Sequence, residues 1–229
     1  MIVASHQPNF LPYMGFFYKA AKCDVLVFSD DVQFSKKGMH NWNRIKTPSG
    51  EAKITLPVHA HHDMRLADIK VSEAPYCIDK IVKTLEQNYC KADCFEEGHF
   101  ILEEMELMAR KPNLSMVEFN VAITELVMEM FRISPEVRIA TRDLHLSGHK
   151  DDRIFMMCEE LGATEYLSGT GAAVYHKPEE YARRGVDLVY SDYRPIKYQQ
   201  LHGKFIENLS VIDYIFNMGF DLPEGWLSR

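Results

Sequence analysis

The chain has 229 residues, 46% of them hydrophobic and 26% charged, enough to bury a full core in one large α/β domain or two small ones. Its 33 acidic residues outnumber 26 basic ones, for a formal charge of −7, which argues against non-specific nucleic-acid binding. No apolar run approaches the roughly 20 residues needed to cross a bilayer. His6 and Pro8 interrupt the N-terminus where a signal peptide would carry its apolar core, and five cysteines without framework spacing read as thiols of a cytoplasmic protein.

Residues 2–4 predict a short apolar strand that breaks into Ser5-His6-Gln7-Pro8-Asn9. Phe10, Leu11, Met14, Phe17, Tyr18 and Ala21 then recur at helical spacing, with Pro12 suited to a first helical turn. That places a helix from near Leu11 to before Asp24, its N-terminus facing the His6–Asn9 loop, a position that favours anions. Residues 25–28 are a continuous apolar run, as a parallel strand covered on both faces requires, and they end in Asp30-Asp31. A strand, helix and strand of this length form a βαβ crossover, which places ligands beyond the carboxyl ends of its strands.

Residues 35–44 interleave Lys36, Lys37 and Arg44 with Asn41, Asn43 and Trp42. A β-hairpin through the turn Thr47-Pro48-Ser49-Gly50 comes next, read as an insertion over about residues 40–58. His59, His61, His62 and Asp63 form the densest group of potential metal ligands, while Cys90, Cys94 and His99 make a weaker one; both also suit ordinary loop and helix-packing positions. A helical block spans about residues 75–131, with Ser115 and Glu118 as a capping box. Strands are then predicted at 137–140, 165–167 and 186–190, and helices at 151–161, 179–184 and 210–217. The expectation is a single α/β domain over residues 1–229, built on an open, mainly parallel Rossmann-like sheet with an inserted β-hairpin and a helical block.

The polar residues just beyond each strand would then share one edge of the sheet. His6 can act as acid, base or phosphate donor, or simply satisfy loop carbonyls, and Gln7 and Asn9 beside it favour function. Asp30 would suit catalysis, with Asp31 and Gln33 binding the ligand; the aspartate pair could also hold Mg²⁺ or ribose hydroxyls, or cap the next turn. Lys36, Lys37 and Arg44 could hold a diphosphate, with Asn41 and Asn43 on sugar hydroxyls or a base, or the run could form a solvated loop. Ser168-Gly169-Thr170-Gly171 offers N–H groups and hydroxyls to a phosphate, without a Walker sequence. No Gly-x-Ser-x-Gly elbow and no convincing Cys–His nucleophile is present.

The segments HQPNFLPYMGFFYKAAKCDVLVFSDDVQFSKKG, NRIKTPSG, YLSGTGA and NLSVIDYIFNMG resemble the WbqC-like protein family over nearly the whole chain. The positions that recur in that family fall on His6, Gln7, Pro8, Pro12, Asp30, Asp31, Gln33, Asn43, Arg44, Ser168, Gly169 and Gly171. Trp42 stands where members often carry a basic residue, and the His59–Asp63 cluster is not part of the family pattern. The family's association with O-antigen and other surface-polysaccharide biosynthesis implies an enzyme acting on a nucleotide-activated, amino-bearing sugar by acyl or aminoacyl-type transfer. The alternative is a non-catalytic ligand-binding or scaffold protein of a glycan-assembly complex. Partners would be a nucleotide or nucleotide-sugar, with Mg²⁺ and a homo-oligomer compatible with either reading. The strand, His-containing loop and helix are also similar to the nucleotidyltransferase-like branch of Rossmann folds, although Tyr13-Met14-Gly15-Phe16 stands in place of its paired-histidine signature.

Overall fold

A computed structural model describes residues 1–228 apart from His62, His149 and Tyr175. Strand β1 (Ile2–His6) leads through an irregular loop to helix α1 (Met14–Ala21) and strand β2 (Val25–Phe28). A hairpin of β3 (Trp42–Thr47) and β4 (Gly50–Thr55) is next, then the short antiparallel pair β5 (Val58–His59) and β6 (Lys70–Val71). Helices α2 (Ala74–Tyr89), α3 (Phe95–Gly98), α4 (Phe100–Ala109) and α5 (Met116–Met130) occupy the middle of the chain. Strand β7 (Glu136–Ile139) precedes α6 (Ala140–Asp143) and α7 (Asp151–Leu161). Strand β8 (Glu165–Ser168), α8 (Pro178–Arg183), β9 (Asp187–Tyr190) and α9 (Val211–Met218) complete it.

The main sheet runs β7-β2-β1-β8-β9 with every pairing parallel. In order of appearance its strands lie 3-2-1-4-5, the Rossmann-like arrangement, and the fold is α/β as the sequence implied. The alternation of side chains across the pleat divides the core in two. Ala4, Leu26, Phe28 and Leu167 face a large cluster with α1, α2, α4, α5 and α9, while Val3, Val25, Val27 and Tyr166 face α7 and α8. All four residues of β2 are buried, which explains its unbroken apolar run.

This parity fixes what the carboxyl edge presents. Ser5 follows Val3 toward α7 and α8, and His6 follows Ala4 toward α1. Ser168, in phase with Tyr166, turns to the α7–α8 side. The chain leaves β1 for one face of the sheet and β8 for the other. A crevice therefore opens between these neighbours, at the switch point.

Two boundaries differ from expectation for physical reasons. Strand β1 runs on through His6, because His6 still pairs across to Phe28. Helix α1 begins at Met14, not near Leu11. Pro12 disfavours a helical conformation in the residue before it, and Leu11 takes a left-handed φ of 44° instead. Ser115 accepts from the Glu118 N–H, one half of the expected capping box, while the Glu118 carboxylate pairs with Lys111 at 2.8 Å instead of reaching back; Ser210 caps α9. No helix among the described residues is long and apolar enough to cross a membrane.

Candidate functional site

The crevice between the β1 and β8 ends is a cleft of about 630 Å³. His6, Gln7 and Asn9 line it from the first loop, and Ser168, Gly169, Thr170 and Gly171 from the loop after β8. Lys19, Lys37, Lys150 and Arg153 line it as well, with no carboxylate among the described lining residues. In a protein of net charge −7, this is a local concentration of positive charge. Val32, Leu146, Ile154 and Met157 add an apolar wall.

Lys19 is the residue that the linear pattern conceals. It lies three positions after Phe16 on the inward face of α1 and is 4% exposed. Its Nζ donates to the Ser5 carbonyl at 2.8 Å and stands 2.9 Å from His6 Nδ1. Burial lowers its pKa from 10.5 to about 8. His6 is lowered well below 6.5, chiefly by burial, then by Lys19 and His40. Its ring is neutral at pH 7. With Lys19 as an ammonium, which only donates, Nδ1 is the acceptor and Nε2 carries the ring proton. The Asn9 carboxamide is 3.2 Å from Nε2, and its oxygen end is the matching partner for that tautomer. Phe16 meets the imidazole edge-on at 5.0 Å, completing the hold on it. Ser5 Oγ and Tyr166 OH share a hydrogen bond of 2.8 Å beside the cleft.

The remaining sequence candidates lie elsewhere. Asp30 is buried and accepts from the Thr141 N–H at 2.9 Å and the Thr141 hydroxyl at 2.5 Å, tying the end of β2 to the start of α6. Asp31 pairs twice with Arg153, at 2.5 and 2.7 Å, and so anchors a cation of the cleft wall without itself lining the cleft. Asn43 is buried, its Nδ2 donating to the carbonyls of Phe10 at 3.1 Å and Leu11 at 2.6 Å. Arg44 reaches Glu51 at 2.9 Å and the Asn208 carbonyl at 2.9 Å, away from the cleft. Gln33 is exposed and lies 3.5 Å from Asp63, while Lys36 is exposed and outside the lining. Of the candidates His6, Asp30, Asn43, Arg44 and Ser168, only His6 and Ser168 line the cleft. Asn43 and Arg44 belong to β3, which packs behind the Phe10–Tyr13 loop rather than over the sheet edge.

Among the described residues, no three His, Cys, Asp or Glu side chains group as a metal ion would require, and His62 of the histidine-rich loop lies outside them. Two glycines gain meaning from their surroundings. A Cβ at Gly169 or Gly171 would meet no atom within 4 Å, and neither has a positive φ. Neither packing nor backbone conformation demands glycine there.

Sequence reasoning missed Lys150, Arg153 and His176 as well as Lys19. Only Lys19 left a signal, a charged residue inside an apolar helical stripe. The others reach the site through sheet order alone. Lys150 does so with a φ of 53°, a conformation that costs energy in any residue but glycine.

Fold and site together define a Rossmann-like α/β protein with a cationic cleft at the switch point of its sheet. Residues 7–224 match the WbqC-like protein family, and the chain belongs to that family. It is similar to an uncharacterized protein of Mycobacterium tuberculosis, with 30% identity over 226 residues that take in 97% of this chain and 96% of that one. No solved structure matches the chain.

Proposed function

We propose that this protein is a transferase of surface-polysaccharide assembly of the O-antigen type, moving an acyl or aminoacyl-type group onto an amino-bearing sugar carried by a nucleotide. The observation that supports it most is the cleft itself: four cations and no carboxylate among its described lining residues, at the switch point where Rossmann-like sheets take ligands. Its volume of about 630 Å³ lies within the ~300–1,000 Å³ usual for such ligands.

In this reading the diphosphate lies against Lys37 and Lys150, and a phosphate oxygen displaces the Asn9 carboxamide as acceptor of the Nε2–H of neutral His6. Lys19 holds that tautomer from behind. The apolar wall of Leu146, Ile154 and Met157 takes the flat or apolar parts of the ligand. Gly169 and Gly171, which carry no side chain, let the loop after β8 approach the ligand closely.

Calorimetric titration of the protein with a panel of nucleoside diphosphate sugars, amino sugars included, tests this. At least one should bind, and His6→Ala or Lys37→Ala should weaken it by about tenfold, equivalent to ~1.4 kcal/mol. Absence of binding across the panel, with both variants still complementing a deletion strain, would rule the reading out and favour a scaffold role.

A further inference from the structure

Beyond the cleft's cations, the α7–α8 side of β8 holds an aligned chain of three side chains. Ser168 Oγ is 2.9 Å from His176 Nε2, and His176 Nδ1 is 2.7 Å from Asp151 Oδ1. The His176 side chain is 4% exposed and that of Asp151 14%. The second Asp151 oxygen accepts from the Lys177 N–H at 3.1 Å, and Tyr181 OH donates to Oδ1 at 3.1 Å. Tyr166, Tyr181 and Tyr190 surround the imidazole ring.

The partners dictate the chemistry. A carboxylate accepts the Nδ1 proton, so the Nε2 lone pair faces the serine hydroxyl. A structural serine needs one acceptor, and the Gly169 carbonyl already lies 3.3 Å away. It does not need an imidazole oriented by a half-buried carboxylate. Ser168, 3% exposed, forms part of the cleft wall, next to two glycines that neither packing nor conformation requires.

We infer that Ser168 is a covalent nucleophile, with His176 as its general base and acid and Asp151 as the positioning residue for His176. This deepens the transferase reading and rests on it. The substrate class is an activated acyl ester or thioester. Ser168 Oγ bonds to the carbonyl carbon as His176 Nε2 takes the hydroxyl proton. The tetrahedral adduct collapses by breaking the bond to the thiolate or alkoxide, which leaves with the proton from His176. The sugar amine then attacks the acyl-Ser168 ester and gives a proton to His176. Collapse to the amide breaks the Oγ–acyl bond, and His176 returns the proton to Oγ. No oxidant or reductant is involved.

The test is reaction of the whole folded protein with a fluorophosphonate probe, which phosphonylates an activated serine and releases fluoride. Intact mass and peptide mapping should show one adduct, on Ser168, absent after unfolding in urea. Labelling should vanish in Ser168→Ala and slow by about 10²-fold or more in His176→Gln, with Asp151→Asn also slower. The wild-type result needs no variant to fold: failure of Ser168 to label in the folded protein, or labelling at another residue instead, overturns the inference. Unchanged labelling rates in folded His176→Gln would overturn it too. Nucleotide-sugar binding without Ser168 labelling would sink covalent catalysis and leave the transferase reading standing. Labelling without nucleotide-sugar binding would keep the nucleophile and sink that choice of acceptor.

Discussion

Lys19 shows how one buried charge organises a site. Lowering its pKa from 10.5 to about 8 corresponds to a cost of about 3 kcal/mol for keeping the ammonium in the folded protein at neutral pH. The unfolded chain holds that proton more tightly. The contribution of Lys19 to stability therefore rises between pH 8 and 10.5 and is lost as pH falls through 8. Denaturant unfolding of wild type and Lys19→Met across that window should show this rise in the difference between them; a constant difference would contradict the burial argument. In the same variant the His6 imidazole, followed by NMR, should titrate at higher pH than in wild type, yet still below 6.5, because burial outranks Lys19 as the cause of its depression. Gly169 and Gly171 allow a sharper separation of folding from function. Alanine at either position should leave stability unchanged or raise it by ~0.4–1 kcal/mol, as an ordinary φ without crowding permits, while weakening ligand binding. Thermal melting beside calorimetry would decide it, and a folded variant that binds normally would remove the glycines from the site.

At the scale of elements, the loop between β1 and α1 is shaped by groups far away in the chain. Asn43 on β3 and Ser210 at the start of α9 both donate to the Leu11 carbonyl, at 2.6 and 3.0 Å, and so hold Leu11 in its left-handed conformation. Asn120 on α5 donates to the Pro8 carbonyl at 3.0 Å and to that of His40 at 2.7 Å. The hairpin is itself pinned from below: Tyr89 OH accepts from the Lys46 N–H at 2.9 Å and donates to buried Asp213 at 2.7 Å. Asn43→Ala removes both bonds that Asn43 gives to the loop, stranding the Phe10 carbonyl and leaving Leu11 only its Ser210 partner. It should cost about 2–4 kcal/mol in urea unfolding. A loss below about 1 kcal/mol would mean the loop is held by packing alone.

At the scale of the whole molecule, a net charge of −7 surrounds a cleft whose described charged lining residues are all cations. An anionic ligand thus meets an overall negative charge but is attracted at the switch point. Attraction of this kind is screened by salt. Raising ionic strength from about 0.05 to about 0.5 M should weaken nucleotide-sugar affinity, and Lys150→Ala should reduce that dependence. Calorimetry at several salt concentrations checks it; salt-independent affinity would point to recognition by the apolar wall instead.

The order of strands and helices was legible in the residues because periodicity is local. The unbroken apolar run of β2, the alternating parity that puts His6 and Ser168 on opposite faces, and the caps at Ser115 and Ser210 all depend on near neighbours. His6 and the Ser168–Gly171 turn could be named for the same reason, since each comes directly after a strand. Which strand-end residues meet was a different question, decided by sheet order and by the path of each loop. Asp30 and Asn43 sit among polar residues that look suited to chemistry, yet both are consumed by backbone and hydroxyl partners distant in sequence. Lys19 faces inward because the helix it belongs to buries that face, and His176 meets Ser168 because α7 and α8 pack against one side of β8. Local pattern determined the elements and their faces; only tertiary packing, through long-range hydrogen bonds and burial, decided which polar groups remain available to a ligand.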